Sequence, residues 1–257
     1  EEVDDAVIKQ IKEKGFCFSL TQKYQNLLAK RLTELVPSSE MSIFLKTGSD
    51  ATTASIRIAR AYTGKIKVIR CGYHGWHDWY LAANLSCKKA LDGHLLPGLN
   101  PLGVPRELKG TAIPFQYNDC ENLIKISRRY GNKIGVIVLE PVRNIYPTKD
   151  FIKTIQNVAR KLKAVLVVDE ITAGFRLNIG GSHLVFGIEP DIAVFAKGMS
   201  NGFPMAAIVG KRKVMKVVQD TFISSTYWTE RIGPAAALAT IRKLKIKNVP
   251  LHLKRTG

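Results

Sequence analysis

From residue 121 onward the chain alternates between two hydrophobic patterns, and this alternation restricts the fold more than any other feature. Residues 121–130 carry apolar side chains at helical spacing. Residues 134–139 form an unbroken apolar run that ends in Glu140-Pro141. Helical spacing returns over 151–162, and a second apolar run, 164–168, ends in Asp169-Glu170. A third run, 192–195, stops just before Lys197, and a fourth covers 206–209. Short continuous apolar runs are strands buried on both faces, and the amphipathic helices between them supply the cover. The pattern predicts an α/β domain with a mostly parallel sheet and helices on both faces.

The N-terminal half fits the same scheme. Val3, Val7, Ile8 and Ile11 recur at helical spacing, as do Leu20, Tyr24, Leu27, Leu28, Leu32 and Leu35, until Pro37 ends the second helix. Residues 41–46 read as a short buried strand, Thr47-Gly-Ser-Asp50 as a turn, 51–62 as a helix and 66–70 as a strand. Residues 71–114 are different, with glycine at 72, 75, 93, 98, 103 and 110 and proline at 97, 101, 105 and 114. A long irregular stretch within a compact unit is usually functional. No internal repeat and no low-complexity linker divides the chain, so residues 1–257 are expected to form one domain.

Composition narrows the partners. Apolar residues are 46% and charged residues 23% of the chain, which are globular values. No apolar run approaches the roughly 18 residues of a membrane span, so no membrane partner is expected. The first five residues include four acids, unlike a secretory signal. Cys17, Cys71, Cys87 and Cys120 form no CxxC pair, which suggests free thiols in a reducing, cytoplasmic setting. The formal charge of +18 raises nucleic-acid binding. The basic residues are nevertheless spread through every expected helix, densest over 241–247, so no nucleic-acid partner is expected. A positive field of this kind collects phosphorylated or carboxylated small molecules.

In open α/β sheets, ligands bind at the carboxyl ends of the strands. Glu140, Asp169 and Lys197 stand at or just after such ends, and Thr47-Gly48-Ser49 follows a strand and opens a helix. Lys197, just after an apolar strand, would be partly desolvated and suited to Schiff-base formation, or it is a surface lysine in a turn. Asp169 needs a partner, which a pyridinium nitrogen would provide, or it caps the following turn. Thr47-Gly48-Ser49 offers free N–H groups and a hydroxyl to a phosphate, or is an ordinary helix cap. In Tyr73-His74-Gly75-Trp76-His77-Asp78 an aromatic ring would suit stacking on a flat cofactor. The two histidines match no strong metal motif, and no metal is expected. Arg143 would suit a carboxylate, or is a surface residue.

Five motifs occur together in order: Gly48-Ser-Asp-Ala-Thr-Thr-Ala-Ser-Ile-Arg-Ile-Ala-Arg-Ala-Tyr-Thr-Gly64, Tyr73-His-Gly75, Leu139-Glu-Pro-Val142, Val168-Asp-Glu-Ile-Thr-Ala-Gly-Phe-Arg176 and Pro190-Asp-Ile-Ala-Val-Phe-Ala-Lys-Gly198. The set resembles the class III (subgroup II) aminotransferases among the fold-type I pyridoxal-phosphate (PLP) enzymes, in the branch of glutamate-1-semialdehyde 2,1-aminomutase. The resemblance implies the large, cofactor-binding domain of such a transferase. The family's N-terminal segment and C-terminal small domain are expected to lie outside this chain.

It also implies roles. Lys197 would join PLP as a Schiff base and then move the proton. Asp169 would pair with the pyridine nitrogen. Ile171 and Tyr73 would pack on the two faces of the ring, and Gly48 and Ser49 would hold the phosphate. Thr226 would reach the phosphate of a neighbouring subunit, making a homodimer with shared sites. The implied reaction passes an amino group from a small-molecule donor to a carbonyl acceptor. A 2,1-aminomutase, or a fragment without catalysis, is the alternative. The sequence departs from the family's usual pattern at Arg143-Asn-Ile-Tyr-Pro147, at Trp76-His-Asp78 and at Trp228-Thr-Glu-Arg231.

Overall fold

A computed structural model of the chain describes residues 1–16, 20–94 and 96–256; Cys17 lies outside them. Their strands are β1 (Met41–Leu45), β2 (Lys67–Cys71), β3 (Ala112–Pro114), β4 (Ile134–Leu139), β5 (Val165–Asp169), β6 (Ile192–Phe195) and β7 (Ala206–Gly210). They form one sheet in the order β1-β7-β6-β5-β4-β2-β3. β7 runs antiparallel to both of its neighbours, and the other pairings are parallel. Every strand except β7 therefore points the same way. β3 lies inside the stretch that reads as irregular. It is only three residues long and ends in a proline, too short to show a period.

Successive side chains of a strand face opposite ways, and the core divides accordingly. Val136, Val138, Val165, Val167, Val194 and Ile208 pack on one face, under α3 (Gly48–Thr63) and apolar residues between Trp79 and Ala112. On the other face, Ile137, Leu139, Leu166 and Val168 meet α6 (Cys120–Tyr130) and α7 (Lys149–Leu162). Beside them Ala193, Phe195, Ala207 and Val209 meet α2 (Lys23–Leu35) and α10 (Ile232–Ile246). Each fully buried Leu, Ile, Val or Phe stabilises the fold by about 1.5–3 kcal/mol. α1 (Glu2–Lys14) adds Val3 and Val7 against Ile232 and Ala236 of α10. The basic stretch 241–247 is the end of α10. Ile241 is buried on the sheet there, and Arg242, Lys245 and Lys247 are exposed.

Side-chain caps define the helix starts. Thr148 Oγ1 accepts from Phe151 N at 3.1 Å to begin α7, and Thr47 Oγ1 accepts from Asp50 N at 3.1 Å to begin α3. Such a cap is worth about 1 kcal/mol. The turn expected at 47–50 is thus the first turn of α3. No helix among the described residues is long and apolar enough to cross a membrane.

Candidate active site

Because β1, β2, β4, β5 and β6 run in parallel, their carboxyl ends share one edge. Thr47-Gly48-Ser49 follows β1, Gly72 to Gly75 follow β2, Glu140 follows β4, Asp169 ends β5 and Lys197 lies two residues beyond β6. The reversed β7 brings Pro204-Met205 to the same edge. A cavity of about 630 Å³ opens there, and Gly48, Ser49, Tyr73, Asp169, Ile171 and Lys197 all line it.

The N-terminus of α3 forms one side. Asp50 N donates to Thr47 Oγ1, and Ala51 N donates to Thr47 O. Gly48 and Ser49 are left with N–H groups that have no acceptor within the helix, as first-turn residues must be. The cradle is closely packed. A Cβ on Gly48 would stand 2.8 Å from Ile171 Cδ1, and one on Gly75 would stand 2.5 Å from Ser49 Oγ. Gly75 has φ +97°, a conformation that suits glycine alone.

Asp169 is 2% exposed. Its Oδ1 accepts from Ile171 N at 3.0 Å, and its Oδ2 lies 2.8 Å from His74 Nδ1. Burial raises the Asp169 carboxyl to about 7 and lowers the His74 imidazole to about 3. With the ring neutral, the contact is a hydrogen bond and not an ion pair. Among the described residues no lysine or arginine pairs with Asp169.

Lys197 opens the turn after β6 with φ +45°, strained for a residue that has a Cβ. Its Nζ donates to Thr172 Oγ1 at 3.0 Å. The side chain is exposed, which corrects the expectation of partial desolvation. The left-handed turn sets Lys197 at the rim of the cavity, beyond the apolar strand that would have buried it.

Tyr73 is half-buried and meets Tyr80 edge-on, with ring centroids 5.7 Å apart. Glu140 reaches the edge but turns beneath the site. Its Oε2 accepts from Tyr73 N at 2.8 Å and lies 3.3 Å from Arg143 Nε, and burial raises its pKa. Thr226 is not brought to this cavity. It stands exposed in the turn Thr226–Thr229. Trp76 is exposed and stacks on His77, which lies 3.6 Å from Asp50.

Several residues of the site went unassigned in the sequence. His74 is the partner of Asp169, Thr172 that of Lys197, and Lys46 lines the cavity while pairing with Glu230. The Tyr-His-Gly motif placed His74 near the site, but nothing local linked it to a carboxylate 95 positions away.

The family model of class-III aminotransferases matches residues 1–257, the whole chain. The chain belongs to the class-III aminotransferase family. Among curated relatives of this family member, the 3-aminobutyryl-CoA aminotransferase of Cloacimonas acidaminovorans is 41% identical over 252 residues, covering 95% of this chain and 57% of that protein. The glutamate-1-semialdehyde 2,1-aminomutase of Sulfurihydrogenibium azorense is 33% identical over 259 residues, covering 97% and 60%. A solved transaminase with PLP bound superposes with a TM-score of 0.85 at 22% identity, covering 95% of this chain and 58% of its own, a likeness of fold. The fold is that of the fold-type I transferases. The chain spans about 57–60% of the length of these curated relatives.

Proposed function

We propose that residues 1–257 are the PLP-binding large domain of an aminotransferase that moves an amino group from a small-molecule donor to a carbonyl acceptor. One observation carries the reading. A buried carboxylate that makes no ion pair with a lysine or arginine among the described residues, Asp169, faces the same cavity as the Lys197 amine and the first turn of α3. The carboxylate, the amine and the helix N–H groups match the cofactor's three polar parts: ring nitrogen, aldehyde and phosphate. Gly48 and Gly75 leave room where a Cβ would collide.

When bound, PLP supplies an electron sink for the carbon that bears the amine. The chain supplies the rest. The Asp169 carboxylate, destabilised by burial, is drawn to its charged form by a positive ring nitrogen. His74 Nδ1 and Ile171 N fix its two oxygens. Gly48 and Ser49 turn N–H groups and a hydroxyl to the phosphate at a helix N-terminus. Tyr73 and Ile171, which line the cavity, would flank the ring. Lys197 Nζ would hold the cofactor's aldehyde carbon and, as an amine beside the reacting carbon, would serve as the base that carries its proton. Thr172 Oγ1 gives that amine a fixed resting place. Lys197 and Asp169 are the catalytic residues of this reading.

The exposed Thr226, outside its own chain's cavity, fits a role at the phosphate of a second copy, in a homodimer with shared sites. The free Cys71, Cys87 and Cys120 fit a cytoplasmic enzyme. The similarity to aminomutases supports a second reading, in which the amino group returns to a neighbouring carbon of the same molecule.

The test is an absorbance titration of the full chain with PLP, then borohydride and peptide mass mapping. Wild type is expected to retain PLP covalently on Lys197, and Lys197→Ala to retain none. A folded wild type that fixes no PLP would leave a domain without the chemistry. Addition of amino donors with and without a keto acid then separates transfer from mutase chemistry.

A further inference from the structure

Arg70 is the next-to-last residue of β2, and it is fully buried. Burial lowers its pKa to about 10, so the guanidinium stays charged at neutral pH. It makes no ion pair among the described residues, and its Nε and Nη1 have no hydrogen-bond acceptor. A buried charge without a counter-ion is unfavourable, so the contacts that it does make need a reason. Its Nη2 donates to Gly72 O, and its Cζ stands 4.1 Å from the centroid of the Tyr80 ring. Both contacts lead to Tyr73. Gly72 precedes it in the chain, and the Tyr80 and Tyr73 rings meet at 86° with centroids 5.7 Å apart. Arg70 itself does not line the cofactor cavity.

The turn after β2 needs such a hold. Gly72 at φ +112° and Gly75 at φ +97° bracket Tyr73 and His74 with backbone that glycine alone adopts readily. Glycine is also the residue with the most conformational freedom, so contacts from outside must fix the turn. Gly72 N donates to His94 Nδ1 at 3.1 Å, and Tyr73 N donates to Glu140 Oε2 at 2.8 Å. Thr52 Oγ1 donates to His74 O at 2.7 Å. The bond from Arg70 to Gly72 O is a fourth tie, and the same guanidinium packs on the ring against which Tyr73 rests. A cation over an aromatic face is attracted by the ring's quadrupole, more strongly where water is excluded.

We infer that Arg70 is a positioning residue. It holds Tyr73 in one plane and so sets how the cofactor ring is seated, without touching cofactor or substrate. A lysine at this place keeps the charge but lacks the flat guanidinium that stacks on Tyr80 while bonding to Gly72. The inference rests on the cofactor reading above for the role of Tyr73, but the hold on the turn is measurable without cofactor.

Arg70→Lys and Arg70→Met are compared with wild type in the full chain, each alone and combined with Tyr73→Ala. PLP affinity is read by absorbance titration, and the seating of the ring by visible circular dichroism per bound PLP. Amide exchange of Gly72 and Tyr73 is measured without cofactor. Arg70→Lys is expected to weaken PLP about tenfold, to lower the dichroism by about half and to speed exchange of both amides about tenfold. Arg70→Met is expected to show the same changes, larger. With Tyr73→Ala in place, neither substitution weakens PLP further, because the route through Tyr73 is already lost. Additive losses would reduce Arg70 to general support of the fold and overturn the inference, as would unchanged dichroism and exchange. Should Arg70→Met fail to fold, Arg70→Lys carries the same test. If wild type binds no PLP, the cofactor reading and the role at the ring fall together, while faster exchange in Arg70→Lys still upholds the hold on the turn.

Discussion

His74 Nδ1 and Asp169 Oδ2 meet at 2.8 Å in the floor of the cavity, and burial moves their proton affinities in opposite directions. Asp169 rises from 3.8 to about 7, so between these values the folded chain keeps a proton that the unfolded chain releases. Its contribution is full below about pH 4 and is lost as pH rises through 7. His74 falls from 6.5 to about 3, so its contribution is full above 6.5 and is lost as pH falls through that window. From about pH 4 to 6.5 the two slopes oppose and largely offset each other. Asp169→Asn removes the falling one. Urea midpoints of the cofactor-free variant are expected to rise with pH more steeply than those of wild type, by up to about 1.4 kcal/mol per pH unit. Parallel profiles would show that Asp169 titrates normally.

Gly75 and Gly48 rank in a predictable order. At Gly75 a new Cβ meets Ser49 side-chain and backbone atoms at a φ of +97°. At Gly48 the obstacle is the flexible end of Ile171. Gly75→Ala is expected to cost about 1–3 kcal/mol of stability and at least tenfold in PLP affinity. Gly48→Ala should cost less in both. Urea unfolding and PLP titration measure the pair, and the reverse order would remove the argument from packing.

Glu230 is buried and pairs with Lys46 Nζ while accepting from Ile232 N and from Gly233 N, the latter at 2.7 Å. It thus caps α10 and ties that cap to the end of β1. Glu230→Ala leaves two N–H groups without an acceptor and a partly buried Lys46 without its counter-ion, with only the Pro204 carbonyl at 3.3 Å remaining to it. A loss of about 2–4 kcal/mol is expected, with Glu230→Gln losing clearly less. Equal losses would mean that the contact works by shape alone.

Glu170 follows Asp169 and is fully buried. Its carboxylate accepts from Ser182 Oγ at 2.8 Å and from His183 N at 2.7 Å, with His183 Nδ1 also at 2.7 Å. These bonds close the loop from 170 to 183, which carries Ile171, Thr172 and Arg176 to the site. Glu170→Ala is expected to cost about 3–5 kcal/mol. It should also speed amide exchange of residues 171–183 and weaken PLP binding. Unchanged exchange with lower stability would confine its role to the core.

Much of the architecture was legible because periodicity reports burial directly. The apolar runs at 134–139, 164–168, 192–195 and 206–209 are β4 to β7 within a residue or so, and the helices expected over 121–130 and 151–162 are α6 and α7. The rule that ligands gather at the carboxyl ends of parallel strands located Gly48, Ser49, Asp169 and Lys197 on one edge from chain order alone. Tyr73 and Ile171 came from motif resemblance and line the same cavity.

Other features required the folded chain. The reversal of β7 is invisible in an apolar run, which reads the same in either direction. Lys197 was expected to be desolvated from its position after β6, but a left-handed turn, set by its neighbours, leaves it exposed. Arg70 lies in an apparently ordinary strand and is fully buried, its guanidinium 4.1 Å from the Tyr80 ring and bonded to Gly72 O.

The sequence by itself determined which faces of its elements are buried, which strand ends carry chemistry and which family the pattern resembles, since these follow from local spacing and residue type. Only the tertiary structure decided that His74 meets Asp169, that Glu140 pairs with Arg143, and that Lys197 rests on Thr172. His74 and Asp169 lie 95 positions apart and meet through sheet order, while Glu140 meets Arg143 through the turn after β4; no local period encodes sheet order or loop conformation.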